Sequence, residues 1–166
     1  DESRGLGDVY KRQENIFSNF GADSTRLFIL SDSPPDKDVQ WSDEGIISSF
    51  KFIQKLWNLN QKILKKIEFN HAKDDDDEMT KITNKYLKNV TLNLETFGYN
   101  KIIANMYEIY SSLNKLTDKH YTKKTIIKNY EKILVSMIPV IPHFSNECLT
   151  LIGCLLYTSD AADDPA

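Results

Sequence analysis

"SDEGIISSFKFIQKLWNLNQKILKKIE", residues 42–68, decides the fold. Ser42 is placed to cap a helix, and Asp43 and Glu44 in the first turn complement the positive end of its dipole. From there Ile46, Phe50, Ile53, Trp57, Leu64 and Ile67 fall on one face of a helix about 25 residues long. Upstream, "ENIFSNFG" reads as a short helix stopped by Gly21, which takes the left-handed conformation without steric cost. Asp23 then caps "STRLFIL", with Leu27, Phe28 and Leu30 facing inward, until Pro34 and Pro35 end the helix. Downstream, "NHAKDDDDE" (70–78) is a polar break. It lacks the alternating ligands, central Gly and closing Glu of a calcium loop, so it reads as a solvated linker.

Three further helical patterns follow. One carries Met79, Ile82, Tyr86, Leu87, Val90 and Leu94; "TFGYN" turns the chain into a second with Ile102, Ile103, Met106, Tyr107, Tyr110, Leu113 and Leu116. The third has Ile126, Tyr130, Ile133, Leu134, Met137 and Ile138, and is broken by Pro139 and Pro142. Pro142 suits the first position of a last helix, "PHFSNECLTLI". Strand-like alternation is missing, and short links between long amphipathic helices imply an all-α antiparallel bundle.

A chain of 166 residues with 40% hydrophobic and 27% charged residues has the composition of one folded domain. No apolar run reaches the roughly 18 residues of a membrane span, and "DESRGLGDVYKRQ" has no secretory pattern. Cys148 and Cys154 lack metal-site spacing and read as reduced thiols of a cytoplasmic protein. Residues 1–13 and 154–166 look adapter- or vector-derived, with frayed native ends as the alternative. The net charge of −3 conceals asymmetry: residues 1–44 hold ten acids against five bases, whereas 101–132 hold seven lysines against three acids. That excess permits a polyanionic partner.

Self-sufficient catalysis finds no support. His71, His120 and His143 stand apart without ligand spacing, and neither a phosphate loop, a dinucleotide fingerprint nor a Ser/His/Asp set occurs. No catalytic residue and no metal ligand is assigned. Tyr107, Tyr110 and Tyr130 lie at helical spacing and read as core rather than as a base-stacking platform.

"GADSTRLFILSDSPPDKDVQWSDEG" followed by "FIQKLWN" closely resembles the segment after the KMSKS loop in leucyl-tRNA synthetases, class I aminoacyl-tRNA ligases. The matching positions are Gly21, Ala22, Asp23, Arg26, Leu27, Phe28, Pro34, Pro35, Asp38, Trp41, Ser42, Gly45, Phe52 and Trp57. "NLETFGYNKIIANMYEIYSSLNKL" is similar to a helix of that family's anticodon-binding domain. "MIPVIPHFSNECL" is similar to its P-x-x-P-H-x-x-E motif, through Pro139, Pro142, His143 and Glu147. The valyl, isoleucyl and methionyl enzymes share the helical domain but generally lack the paired proline with a downstream Trp-Ser. A free-standing tRNA-binding module and a purely structural bundle are the rival readings.

The resemblance implies that residues 14–41 close a catalytic domain and form a connector, and that 42–153 are an anticodon-binding helical bundle. The intact enzyme would use ATP and Mg2+ to attach leucine to tRNA-Leu, as a cytoplasmic monomer. This chain, without HIGH or KMSKS, would be inactive alone, bind no cofactor, and dock the tRNA. Arg26, Pro34, Pro35 and Trp41 would form a stiff strut, with the buried indole as its anchor. Lys51, Lys55, Lys101, Lys119, Lys123 and Lys124 are the candidate phosphate contacts, chosen by their clustering along the chain.

Overall fold

The computed structural model describes residues 15–32, 41–69 and 77–160. Among these, every regular element is a helix: α1 (residues 15–20), α2 (Ala22–Asp32), α3 (Asp43–Glu68), α4 (Glu78–Glu95), α5 (Tyr99–Leu116), α6 (Lys123–Met137) and α7 (Pro142–Asp160). α3 is the axis of the bundle and touches α2, α5, α6 and α7, while α4 packs on α5 and α6. α7 continues to Asp160, beyond the expected domain end at residue 153.

Local chemistry sets most boundaries as the sequence suggests. Gly21 adopts φ +79° and its N–H donates to the Phe17 carbonyl, closing α1. The Ser42 hydroxyl accepts from the Gly45 N–H (3.1 Å), capping α3. At the end of α4 the left-handed residue is Phe97 (φ 52°), not the neighbouring Gly98. Gly98 N–H reaches back to the Asn93 carbonyl and Phe97 N–H to that of Leu94, the paired bonds of a Schellman cap.

The buried stripe of α3 differs from the expected one. Ile46, Ser49, Phe52, Leu56, Leu59, Asn60, Ile63 and Ile67 face the core, while Phe50, Ile53 and Leu64 flank it and Trp57 is exposed. Two polar residues on the true centre line masked it. Asn60 is fully buried; its Oδ1 accepts from the Tyr130 hydroxyl at 3.0 Å, which gives that hydroxyl a partner inside the core, while its Nδ2 is left without one.

Asp23 also departs from its expected role. It lies inside α2, and its carboxylate caps α7 instead, accepting from the backbone N–H groups of His143 (3.3 Å) and Phe144 (2.6 Å). One turn along, Arg26 donates through Nε to the Val140 carbonyl (3.2 Å) and through Nη2 to that of Pro139 (2.9 Å). The unsatisfied backbone groups on both sides of the α6–α7 break are thus met by two side chains of α2.

Trp41 does not bury a large area: it is 46% exposed. Its ring meets Phe28 edge-on (centroids 5.2 Å apart, 74°), and its Nε1 donates to Asp43 Oδ1 at 2.8 Å. Phe28 is the buried member of the pair. Its ring lies so close to Gly45 that an added Cβ would come within 2.4 Å of it, which explains the glycine in the first turn of α3. The indole is therefore a lid on Phe28, attached but not an internal anchor. Pro34 and Pro35 lie outside the described residues.

Three outcomes follow from these contacts. Asp23→Ala should cost about 2 kcal/mol in urea unfolding, and Asp23→Asn, which keeps one acceptor oxygen, measurably less. Phe97→Gly should stabilise the fold by about 1 kcal/mol, because it relieves a left-handed residue whose exposed ring contributes little packing. The third concerns alkaline pH. Burial, followed by the charge of Glu147, pushes the Cys148 thiol up to about 12; burial pushes Tyr86 up to about 12, against a weaker opposing effect of its Ser136 hydrogen bond. Burial, with Cys148 nearby, also raises Tyr130. The unfolded chain releases these protons from about pH 9 upward, while the folded chain retains them. The urea midpoint should hold at neutral pH and fall as pH rises towards 12, with a shallower fall in Tyr86→Phe.

Candidate nucleic-acid interface

Helical spacing gathers cations along one edge of α3. Lys55 and Lys62 are seven residues apart, and Lys65 follows three residues later, so all three project toward the same side. Across from them, α5 contributes Tyr110, Ser111, Asn114 and Lys115. The two edges enclose a long polar groove, with Lys62 and Asn114 lining both of its halves. Asn114 Nδ2 donates to the Tyr110 hydroxyl at 3.2 Å, which orders that wall. Asp118, at the far end, is the acidic residue among the groups lining it.

Lys66 plays a different part from its neighbours. Its ammonium donates to the carbonyls of Thr117 and Lys119, where the chain leaves α5. A cation at the negative end of a helix is favourable, and here it ties the end of α3 to the α5–α6 turn. Burial lowers its pKa, against an opposing contribution from Asp118. Lys66 therefore shapes the floor of the groove and is already engaged by protein acceptors.

The six lysines selected from the sequence do not converge on one site. Lys55 lines the groove, and Lys51 is exposed one turn before it on α3. Lys101 is exposed in the first turn of α5; Lys123 is half-buried and Lys124 exposed at the start of α6. Lys119 forms a salt bridge with Glu78, the first residue of α4. Lys62, Lys65 and Lys115, which line the groove, were not among the six, because a count of neighbours along the chain favours the 119–124 cluster. The seven-residue spacing of Lys55 and Lys62 was the available signal.

A second concavity, of about 800 Å³, lies between the start of α2, the middle of α3 and the start of α7. Phe50, Ile53 and Trp57 form one wall, and Asp23, His143 and Glu147 belong to the other. The Asp23 carboxylate there is already bound to backbone N–H groups, so it is not a candidate base. Among the described residues, no group of three His, Cys, Asp or Glu side chains is placed to hold a metal ion, and no helix is long and apolar enough to cross a membrane.

Comparison with known proteins shows what the chain is similar to. Leucine–tRNA ligase of Orientia tsutsugamushi is 40% identical over 141 residues, covering 84% of this chain and 16% of that protein. Leucine–tRNA ligase of Bartonella tribocorum is 31% identical over 158 residues, covering 90% of this chain and 18% of its own length. The chain thus spans under a fifth of the curated relatives it matches. The fold is shared with a LeuRS of Agrobacterium radiobacter, solved in a ternary complex with tRNA and LeuAMS. The TM-score is 0.74 at 20% identity, over 85% of this chain and 19% of that one. Residues 76–162, more than half of the sequence, match the family described as the anticodon-binding domain of tRNA ligase. The chain belongs to that family of tRNA-ligase anticodon-binding domains.

Proposed function

We propose that this chain is the tRNA-docking part of a leucine–tRNA ligase, and that the α3–α5 groove is where it meets the nucleic acid. The observation that supports docking there is the alignment of Lys55, Lys62, Lys65 and Lys115 around a groove with polar walls. Leucine as the amino acid rests on the names of the relatives and on the Pro-Pro…Trp-Ser pattern at residues 34–42. In this reading the intact, cytoplasmic and monomeric ligase uses ATP with Mg2+ to join leucine to tRNA-Leu. The present sequence carries neither HIGH nor KMSKS and contributes no catalytic group to that reaction.

The groove acts by positioning. Ammonium groups along it neutralise phosphates and release condensed counterions, an attraction that depends on salt and carries no sequence information. Asn58, Gln61 and Asn114 add donors and acceptors for ribose and phosphate oxygens along the same track. Asp23 and Arg26 hold α2 against the α6–α7 break, and α2 also packs on α3 and α5, the helices that line the groove. A tRNA lying in the groove is then oriented relative to whatever α2 is attached to.

Salt titration of tRNA-Leu binding tests the reading. Replacing Lys55, Lys62 and Lys65 by alanine should reduce the slope of log affinity against log salt by about 2 to 3. The Lys119/Lys123/Lys124 triple alanine variant should change it less, since Lys119 is paired with Glu78. Equal slopes for the wild type and the groove variant would remove the groove from the interface.

A further inference from the structure

We propose that Tyr107 is a stacking surface for one unpaired nucleobase of an RNA held in the α3–α5 groove, an inference that rests on the reading of that groove as RNA-binding. The helical pattern assigns Tyr107 to the core with Tyr130. The structure buries Tyr130 but leaves Tyr107 45% exposed. The covered side of the Tyr107 ring lies on Phe52, with centroids 3.8 Å apart and planes inclined by 22°. Phe52 is itself buried, and it meets Tyr110 edge-on at 5.8 Å. Tyr110 lines the groove beside Lys55. The three rings are therefore continuous: Tyr110 in the groove wall, Phe52 in the core, and Tyr107 fixed from behind, one turn earlier on α5.

This arrangement has the two properties a stacking platform requires. The ring is immobilised by Phe52, so little freedom remains to be lost when a base covers its outer face. On α3, Lys51 precedes Phe52 and Lys55 follows it by one turn, and both are exposed. Partial burial raises the Tyr107 pKa. Lysines alone attract paired and unpaired strands alike. An aromatic face discriminates, because a base inside a duplex already has both of its faces stacked.

The test uses the full chain and a short single-stranded RNA carrying a fluorescent adenine analogue, with the duplex it forms with its complement as the second ligand. Wild type should quench the analogue in the single strand. Tyr107→Ala should lose the quenching and bind the single strand on the order of tenfold more weakly at every salt concentration, with an unchanged salt slope. Tyr107→Phe should behave as wild type, and duplex affinity should be the same for all three. Quenching by wild type can be read whether or not the alanine variant keeps its fold, which a thermal melt checks. Retained quenching and affinity in a folded Tyr107→Ala protein would overturn the stacking role, while loss of affinity in the Lys55/Lys62/Lys65 variant would leave the groove standing. If wild type bound neither RNA, the groove reading would fail and the stacking role with it.

Discussion

Where α6 gives way to α7 the backbone must leave carbonyls on one side and N–H groups on the other, and α2 answers both with side chains one turn apart. Arg26 takes the carbonyls of Pro139 and Val140, and Asp23 takes the N–H groups of His143 and Phe144. Pro142 contributes no N–H, so the first donors of α7 belong to its next two residues, the ones Asp23 reaches. The match is directional as well as electrostatic: an anion meets a helix start and a cation a helix end. It joins residues more than a hundred positions apart. Phe28, on the same helix, closes against Gly45 and couples the clamp to the first turn of α3.

That clamp changes the account of the connector. A strut held by a buried indole would depend on Trp41, yet Trp41 covers Phe28 from outside and is half-exposed. What attaches α2 to the bundle is its polar contacts with the α6–α7 break and the packing of the Phe28 ring against Gly45. Polar clamps of this kind specify an orientation, because their hydrogen bonds tolerate little misalignment, whereas an apolar contact alone could slide.

The lysines divide by what they already touch. Lys66 is taken up by carbonyls at the end of α5, and Lys119 by Glu78, so both already have partners within the protein. Lys55, Lys62, Lys65 and Lys115 line an open groove, where a phosphate backbone would supply the missing counter-charge. Net charge says little here. The chain is acidic overall, yet these four lysines lie along one helix pair.

The amino-acid sequence determined the helices, their caps at Gly21, Ser42 and Pro142, and the family, because these depend on local spacing and on short motifs. It showed most of the buried apolar residues of α4, α5 and α6, though not Ile109, Ile127 or the buried polar Thr83 and Asn129. The centre line of α3 escaped it, because buried Ser49 and Asn60 read as surface positions until their surroundings are known. The roles of Asp23 and Arg26 escaped it for the same reason: a carboxylate two residues into a helix looks like that helix's own cap. Tertiary structure alone decided which helix end each charge serves, which lysines face one another across the groove, and that Tyr107 lies outside the core. Such facts depend on distances between residues far apart in the chain, and no local period encodes them.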